Sequence, residues 1–304
     1  MKSTNFILST AFILLFSCLS FGQINNTYNF NPDNLLNHVK ELASDAYEGR
    51  RTGTPGASKA KKYIIEQLEL LEVGSLTQNF EQPFTFQSRN KSYNGVNILG
   101  SIKGTEFPDK YIVLSAHYDH EGVKNGQIYS GADDDASGVS ALLAFAESFK
   151  KNPPKHSVIL AFFDAEELGL QGSKFFVDNP IVDLKTIVLN INLDMVSRNE
   201  NNELYVTGIK SHSHLETMYS QLDTPETITI IAGHDGTDGK QNWMFSSDHA
   251  PFHMKKIPFL YFGVEDHQDY HQPTDDYENI HPEFYKTAVE HIINIFYKLD
   301  VMTF

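Results

Sequence analysis

The sequence has almost no cysteine. Cys18 is the only one, and it falls in the leader-like opening stretch, so the rest of the chain has no disulfide and draws its stability from a buried core and from what it binds. Long apolar runs are equally scarce. Phe6 to Phe16 is broken by Ser9 and Thr10 and falls short of the roughly 20 residues that a membrane-crossing helix needs, which excludes a stable membrane span. Positive charge is also in deficit. The net charge of −15 is the opposite of the clustered Lys and Arg that nucleic acid and anionic lipid surfaces reward, and it excludes both as partners. After the leader there is no repeat, no low-complexity run and no Ser/Pro-rich linker, so nothing divides the chain further.

What is present begins with an export signal. Met1-Lys2 gives a positive start, Phe6 to Phe16 an apolar core, and Ser20-Phe21-Gly22 small residues around a cleavage point. Residues 1–22 therefore read as a signal peptide, and the mature protein is expected to be periplasmic or secreted. A second reading takes Leu15-Phe16-Ser17-Cys18 as a lipoprotein box with Cys18 lipidated, although Phe16 fits that box poorly. Residues 23–304 suffice for one α/β domain with a substantial core.

Helix-like and strand-like apolar periodicity alternate along this domain. Leu35, Leu36, Val39, Leu42 and Ala43 share one helical face after Asn31-Pro32, and a second helix is predicted over Ala57–Glu72. Tyr111–Ala116, Ser157–Phe163, Thr186–Leu193 and Phe259–Phe262 are short unbroken apolar runs that suit strands covered on both faces. Helical spacing returns from Val139 to Phe149 and from Phe284 to Leu299. The pattern predicts a three-layer α/β/α fold around a mixed, mostly parallel sheet.

Ionisable residues follow the C-terminal end of each predicted strand, where open α/β sheets place their sites. His117-Tyr118-Asp119 comes after the first. A metal-bound imidazole needs its second nitrogen held, and Asp119 is placed to do so, yet a His-x-Asp triplet alone is more often a surface pair or a capped strand end. Asp133-Asp134-Asp135, framed by Gly131 and Gly138, comes next. One Asp there serves as a helix cap; three adjacent carboxylates repel one another unless cations neutralise them. Glu166-Glu167 follows the second strand, as a metal ligand beside a proton carrier or as a solvated helix start. Asp194 ends the third apolar run. Gly263 to Asp276 closes the series with His267, Asp269, Tyr270 and His271.

The order of these elements resembles peptidase family M28, the zinc exopeptidases. The likeness also takes in Glu48-Gly49-Arg50, Gly53-Thr54-Pro55-Gly56 and Ser247-Asp248-His249-Ala250-Pro251-Phe252, and so covers nearly the whole mature chain. It implies two zinc ions per chain: His117 and Asp194 on one, Glu167 and His271 on the other, and Asp134 bridging them. It further implies Glu166 as general base and later acid, Asp119 as the group that orients His117, a cis peptide at Asp134-Asp135, and Tyr270 as donor to the developing oxyanion. Asp248 and His249 would support the site or wall the pocket.

By the same resemblance the substrates are peptides with a free N-terminus. An exported chain without a long insertion is most similar to the bacterial aminopeptidases, and an acid-rich site suits a protonated α-amine. Two rivals belong to other classes. A glutaminyl cyclase on the same fold uses one zinc, but this chain keeps His117 with the other ligands. A non-catalytic ectodomain would have lost ligands or Glu166, and none is lost.

Overall fold

The structure is a computed structural model that describes residues 28–211, 213–222, 227–302 and 304; the expected signal peptide and Cys18 lie outside the described residues. Asn31 starts the first helix. Its side chain accepts from the main-chain N–H groups of Asp33 and Asn34, and Pro32 fixes φ at the first turn of α1 (Pro32–Leu42). Thr54 likewise accepts from the Ala57 N–H and starts α2 (Pro55–Leu70). This helix begins ahead of the expected Ala57 because the Thr-Pro pair, rather than the apolar spacing, sets its end.

The remaining elements are β1 (Gly74–Ser75), β2 (Glu81–Ser88), β3 (Lys91–Ile102), β4 (Phe107–His117), the hairpin of β5 (Gly122–Lys124) and β6 (Gln127–Tyr129), α3 (Gly138–Lys151), β7 (His156–Phe163), α4 (Gln171–Asp178), β8 (Ile187–Leu193), β9 (Glu203–Thr207), α5 (Ser213–Tyr219), β10 (Thr229–Ala232), α6 (His249–Met254), β11 (Phe259–Gly263) and α7 (Pro282–Asp300). One mixed sheet runs β1-β3-β7-β4-β8-β11-β9-β10, with β2 paired to β3. Its centre, β7-β4-β8-β11, is parallel. Antiparallel β3 and β9 flank that centre.

The four parallel strands are the four apolar runs of the sequence, and alternation along them divides the core. On β4 and β7, Ile112, Leu114, Val158, Leu160 and Phe162 face the layer built by α1, α2, α3 and α7. Val113, Ile159, Ala161 and Phe163 face the opposite layer, where Phe176 of α4 and Phe252 of α6 pack. The helix α3 is buried nearly all round, as expected of a helix apolar on every side. A polar seam crosses the centre: Ser115 donates to Asn192 Oδ1, Asn190 donates to Ser115 Oγ, and Asn192 donates to Ser247 Oγ. That last bond ties the segment before α6 to the sheet.

Parallel pairing decides where function can lie. Because β7, β4, β8 and β11 run in one direction, His117, Asp164-Ala165-Glu166-Glu167, Asp194 and the Gly263-to-His271 loop all emerge at one edge. Among the described residues no helix is long and apolar enough to cross a membrane.

Leu160 is fully buried whereas Leu70 is 71% exposed. Leu160→Ala should therefore lower unfolding stability by about 2–5 kcal/mol through lost burial and the cavity left behind, and Leu70→Ala should stay within about 0.5 kcal/mol of the parent. Denaturant melts of the two variants check this pair.

Candidate metal centre

The first donor set forms where β4 and β8 end. His117 Nε2 lies 3.1 Å from Asp134 Oδ1 and 3.5 Å from Asp194 Oδ1. The second set forms across the same carboxylate: His271 Nε2 lies 3.1 Å from Asp134 Oδ2 and 3.3 Å from Glu167 Oε1. Asp134 thus offers one oxygen to each side. Donor atoms bound to one zinc at roughly 2.0–2.2 Å in a tetrahedron are separated by a little over 3 Å, and each histidine keeps about that spacing from the two carboxylates beside it. Glu167 Oε1 is buried without a hydrogen-bond partner, which is how a carboxylate oxygen kept for a cation looks. The residues present fit two metal ions.

All five residues expected as ligands are brought together, and the Asp134-Asp135 peptide is cis. The flanking acids of the triple have other work. Asp135 accepts from the main-chain N–H groups of His117, Gly138 and Met195. It lies near His117 and Asp194, but those bonds occupy its oxygens. Asp133 accepts from the N–H and hydroxyl of Ser197 and faces His267 Nε2 at 3.1 Å. Asp275 in turn accepts from the N–H groups of Asp133 and Asp134. The middle acid faces the centre; its neighbours and Asp275 hold the turn in shape.

One expectation is corrected. His117 Nδ1 is held at 3.0 Å by the main-chain carbonyl of Asp119, while the Asp119 carboxylate stands 3.8 Å away. That carboxylate instead accepts from the Glu166 N–H and the Thr52 hydroxyl. The reason is local: His117 ends the strand, and the chain turns so that the carbonyl two residues on closes over the ring. Asp119 thereby fixes Glu166 as well as His117.

Arg50 is the anchor of these loops. Fully buried, it donates to the carbonyls of Leu42, Tyr118, Ser130 and Gly131, joining the His117 turn to the start of the aspartate turn. The neighbouring glutamates are pushed apart in acidity. Burial, with Asp194 and Asp248 close by, raises Glu166 well above the ordinary carboxyl range against the pull of His117. Glu167 is held down to about 2 because His120 and His271 outweigh its burial and the nearby Asp134. Two carboxylates adjacent in the chain are thus set to hold their protons over different pH ranges. Ala165, Met195 and His271 adopt φ values of 62°, 59° and 54°, left-handed conformations that cost about 1–3 kcal/mol each and gather at working sites.

A cleft of about 230 Å³ opens over both donor sets, lined also by Glu166, Met195, Gln241, Trp243, Ser246, Tyr261, Val264, Asp266 and Tyr270. Tyr270 stacks on His271 with ring centres 4.0 Å apart. His249 does not face the cleft. Its Nε2 donates to the Trp243 carbonyl, its ring stacks on Phe259 and Tyr261, and burial lowers it to about 3, so it is a neutral packing residue. Asp248 is wholly buried near Glu166 and is pushed up to about 6, mainly by burial.

Without cations, protons balance the acids. Burial opposes a charge on His117, yet Asp194 and Asp134 raise it well above the usual imidazole value, and Asp134 with Glu167 lifts His271 to about 11 against the same opposition. Both rings hence carry protons at neutral pH, and a metal must displace them. Zinc added to metal-free protein near pH 7 should release about two protons per chain, and affinity should weaken as pH falls, because protons then compete harder for the rings. Titration calorimetry in buffers of different ionisation enthalpy measures the release; none would break the assignment of both histidines.

The model of peptidase family M28 matches residues 97–296. Aminopeptidase YwaD of Bacillus subtilis (strain 168) is 33% identical over 198 aligned positions, with 62% of this chain and 41% of that enzyme covered; the match spans less than half the relative's length. The structure of a zinc aminopeptidase from Bacillus subtilis superposes with a TM-score of 0.71 at 19% identity, covering 89% of this chain and 95% of the other. Porphyromonas gingivalis glutaminyl cyclase does so with a TM-score of 0.73 at 20% identity, over 88% and 98%. At such identities the two structures speak for the fold alone. The family match, over residues that include every expected ligand, is what decides: the chain belongs to peptidase family M28.

Proposed function

We propose that this protein is a two-zinc exopeptidase, an aminopeptidase that removes N-terminal residues from peptides. The observation that carries the reading is Asp134, whose two oxygens serve His117–Asp194 on one side and Glu167–His271 on the other, with Glu166 lining the same cleft. Bound zinc supplies there a Lewis acid for the scissile carbonyl and a water of lowered pKa. Glu166, its basicity raised by burial, accepts the proton of the attacking water and passes it to the departing amine. Asp119 holds Glu166 and His117 in register through the bonds described above. Tyr270, packed on His271 at the cleft wall, is the proposed donor to the developing oxyanion.

The size and charge of the cleft support action at a chain end. About 230 Å³ is below the range of roughly 300–1,000 Å³ typical of ligand pockets and suits a single terminal residue. Asp194, Glu166 and Asp266 line it without a lysine or arginine, which favours a protonated α-amine over a C-terminal carboxylate. The cyclase reading shares the fold, but it leaves the His117–Asp194 pair without a use. The basic start and apolar core of residues 1–22 support an exported enzyme.

Purified protein should cleave aminoacyl-p-nitroanilides and leave their N-acetylated forms intact, with activity lost on chelation and restored by zinc. Glu166→Gln should lower kcat by about 10²- to 10⁴-fold, the range for loss of a general acid–base group, while metal content stays the same. Cyclisation of glutaminyl peptides by zinc-loaded protein, with no hydrolysis, would transfer the case to the cyclase.

A further inference from the structure

His120 has no role in the two-zinc reading, and its surroundings do not treat it as core. The ring is fully buried, yet neither nitrogen has a hydrogen-bond partner among the described residues. An orphaned buried imidazole calls for an explanation. Its Nδ1 points at the second donor set, 2.9 Å from Glu167 Oε1 and 3.7 Å from Asp134 Oδ2. These separations bracket the 3.1 and 3.3 Å that His271 Nε2 keeps from the same two carboxylates. Space for the ring is built in: Gly131 has φ +59°, and a Cβ there would stand 2.5 Å from His120 Cγ. Glu121, the further acid near Glu167 and His271, is committed to Arg51 and Lys124.

We propose that His120 is a fourth protein ligand on the Glu167 side of the centre. That side then has Asp134, Glu167, His271 and His120, a complete tetrahedral set of the kind that closes a zinc site. With Asp135 taken up by main-chain N–H groups, the opposite side has Asp134, His117 and Asp194 among the described residues, the three-ligand count of a site with an open position. The two halves are therefore unequal: the His120 half is the tight, slowly exchanging anchor, and the His117 half holds the exchangeable ion. The inference rests on the two-metal reading above and goes beyond it by assigning different tasks to the two positions.

The test is metal binding to full-length protein, read without activity. Competition with a chelator should resolve two classes of zinc site in the parent. His120→Ala should weaken the tighter class by more than about 100-fold, beyond the 10- to 100-fold typical of a residue that only supports a ligand, whereas His117→Ala should spare it. His120→Gln and urea melts of the metal-free variants show whether either change acts through folding. X-ray absorption of the parent loaded with one zinc per chain is independent of any variant, and it should count two imidazoles on that ion. Two equal sites, one imidazole on the first zinc, or a His120→Ala loss within the supporting range would each overturn the proposal, with the two-metal reading left standing. A parent that binds no zinc would remove both.

Discussion

Too much negative charge is gathered at one edge of the sheet, and the rest of the site is organised by the need to keep it there. Asp119, Asp133, Asp134, Asp135, Asp164 and Asp194 are all buried, in surroundings where like charges repel far more strongly than in water. Two kinds of partner meet that demand. Main-chain N–H groups satisfy Asp135's oxygens; histidines face Asp133, Asp134 and Glu167; Arg50 lies beneath, spent on carbonyls rather than on the acids. Glu167 Oε1 and the His120 ring are among the buried groups left unsatisfied, and these two lie where a divalent cation would sit.

The triple aspartate shows how one short motif serves several ends. Consecutive side chains in an irregular turn point in different directions, so identical residues meet different partners: Asp133 the Ser197 turn, Asp135 the ends of β4 and α3, Asp134 the cleft. The outer two are structural in the way an N-cap is structural, accepting from donors that the turn leaves free. Their work makes the middle one precise. Asp275, far along the chain, completes the arrangement by accepting from two successive N–H groups of the same turn.

The shared architecture with an aminopeptidase and with a glutaminyl cyclase follows from the same physics. A parallel centre sends several strand ends to one edge, and that edge can be fitted for different chemistries. The side chains at the strand ends decide among them. Here histidines and carboxylates gather on both sides of Asp134, and the pair of glutamates differs in acidity although the two are adjacent in the chain.

Much of this was legible in the sequence, because it depends on local order. Four unbroken apolar runs gave the parallel strands; Asn31-Pro32 gave the start of the first helix, whereas the Thr54 cap of the second went unread; acids and histidines after each run gave the edge that carries the site. The flanking strands β2, β3, β9 and β10 were missed, since they mix exposed polar with buried positions and take their pairing from distant partners. Tertiary structure alone decided which oxygen meets which ring. It put the Asp119 carbonyl, not its carboxylate, on His117, joined Arg50 to carbonyls as far away as Gly131, and turned His120 inward over Gly131. Each of these contacts depends on how the chain turns after a strand ends, and spacing in sequence carries no direction for a side chain once the periodic element has stopped.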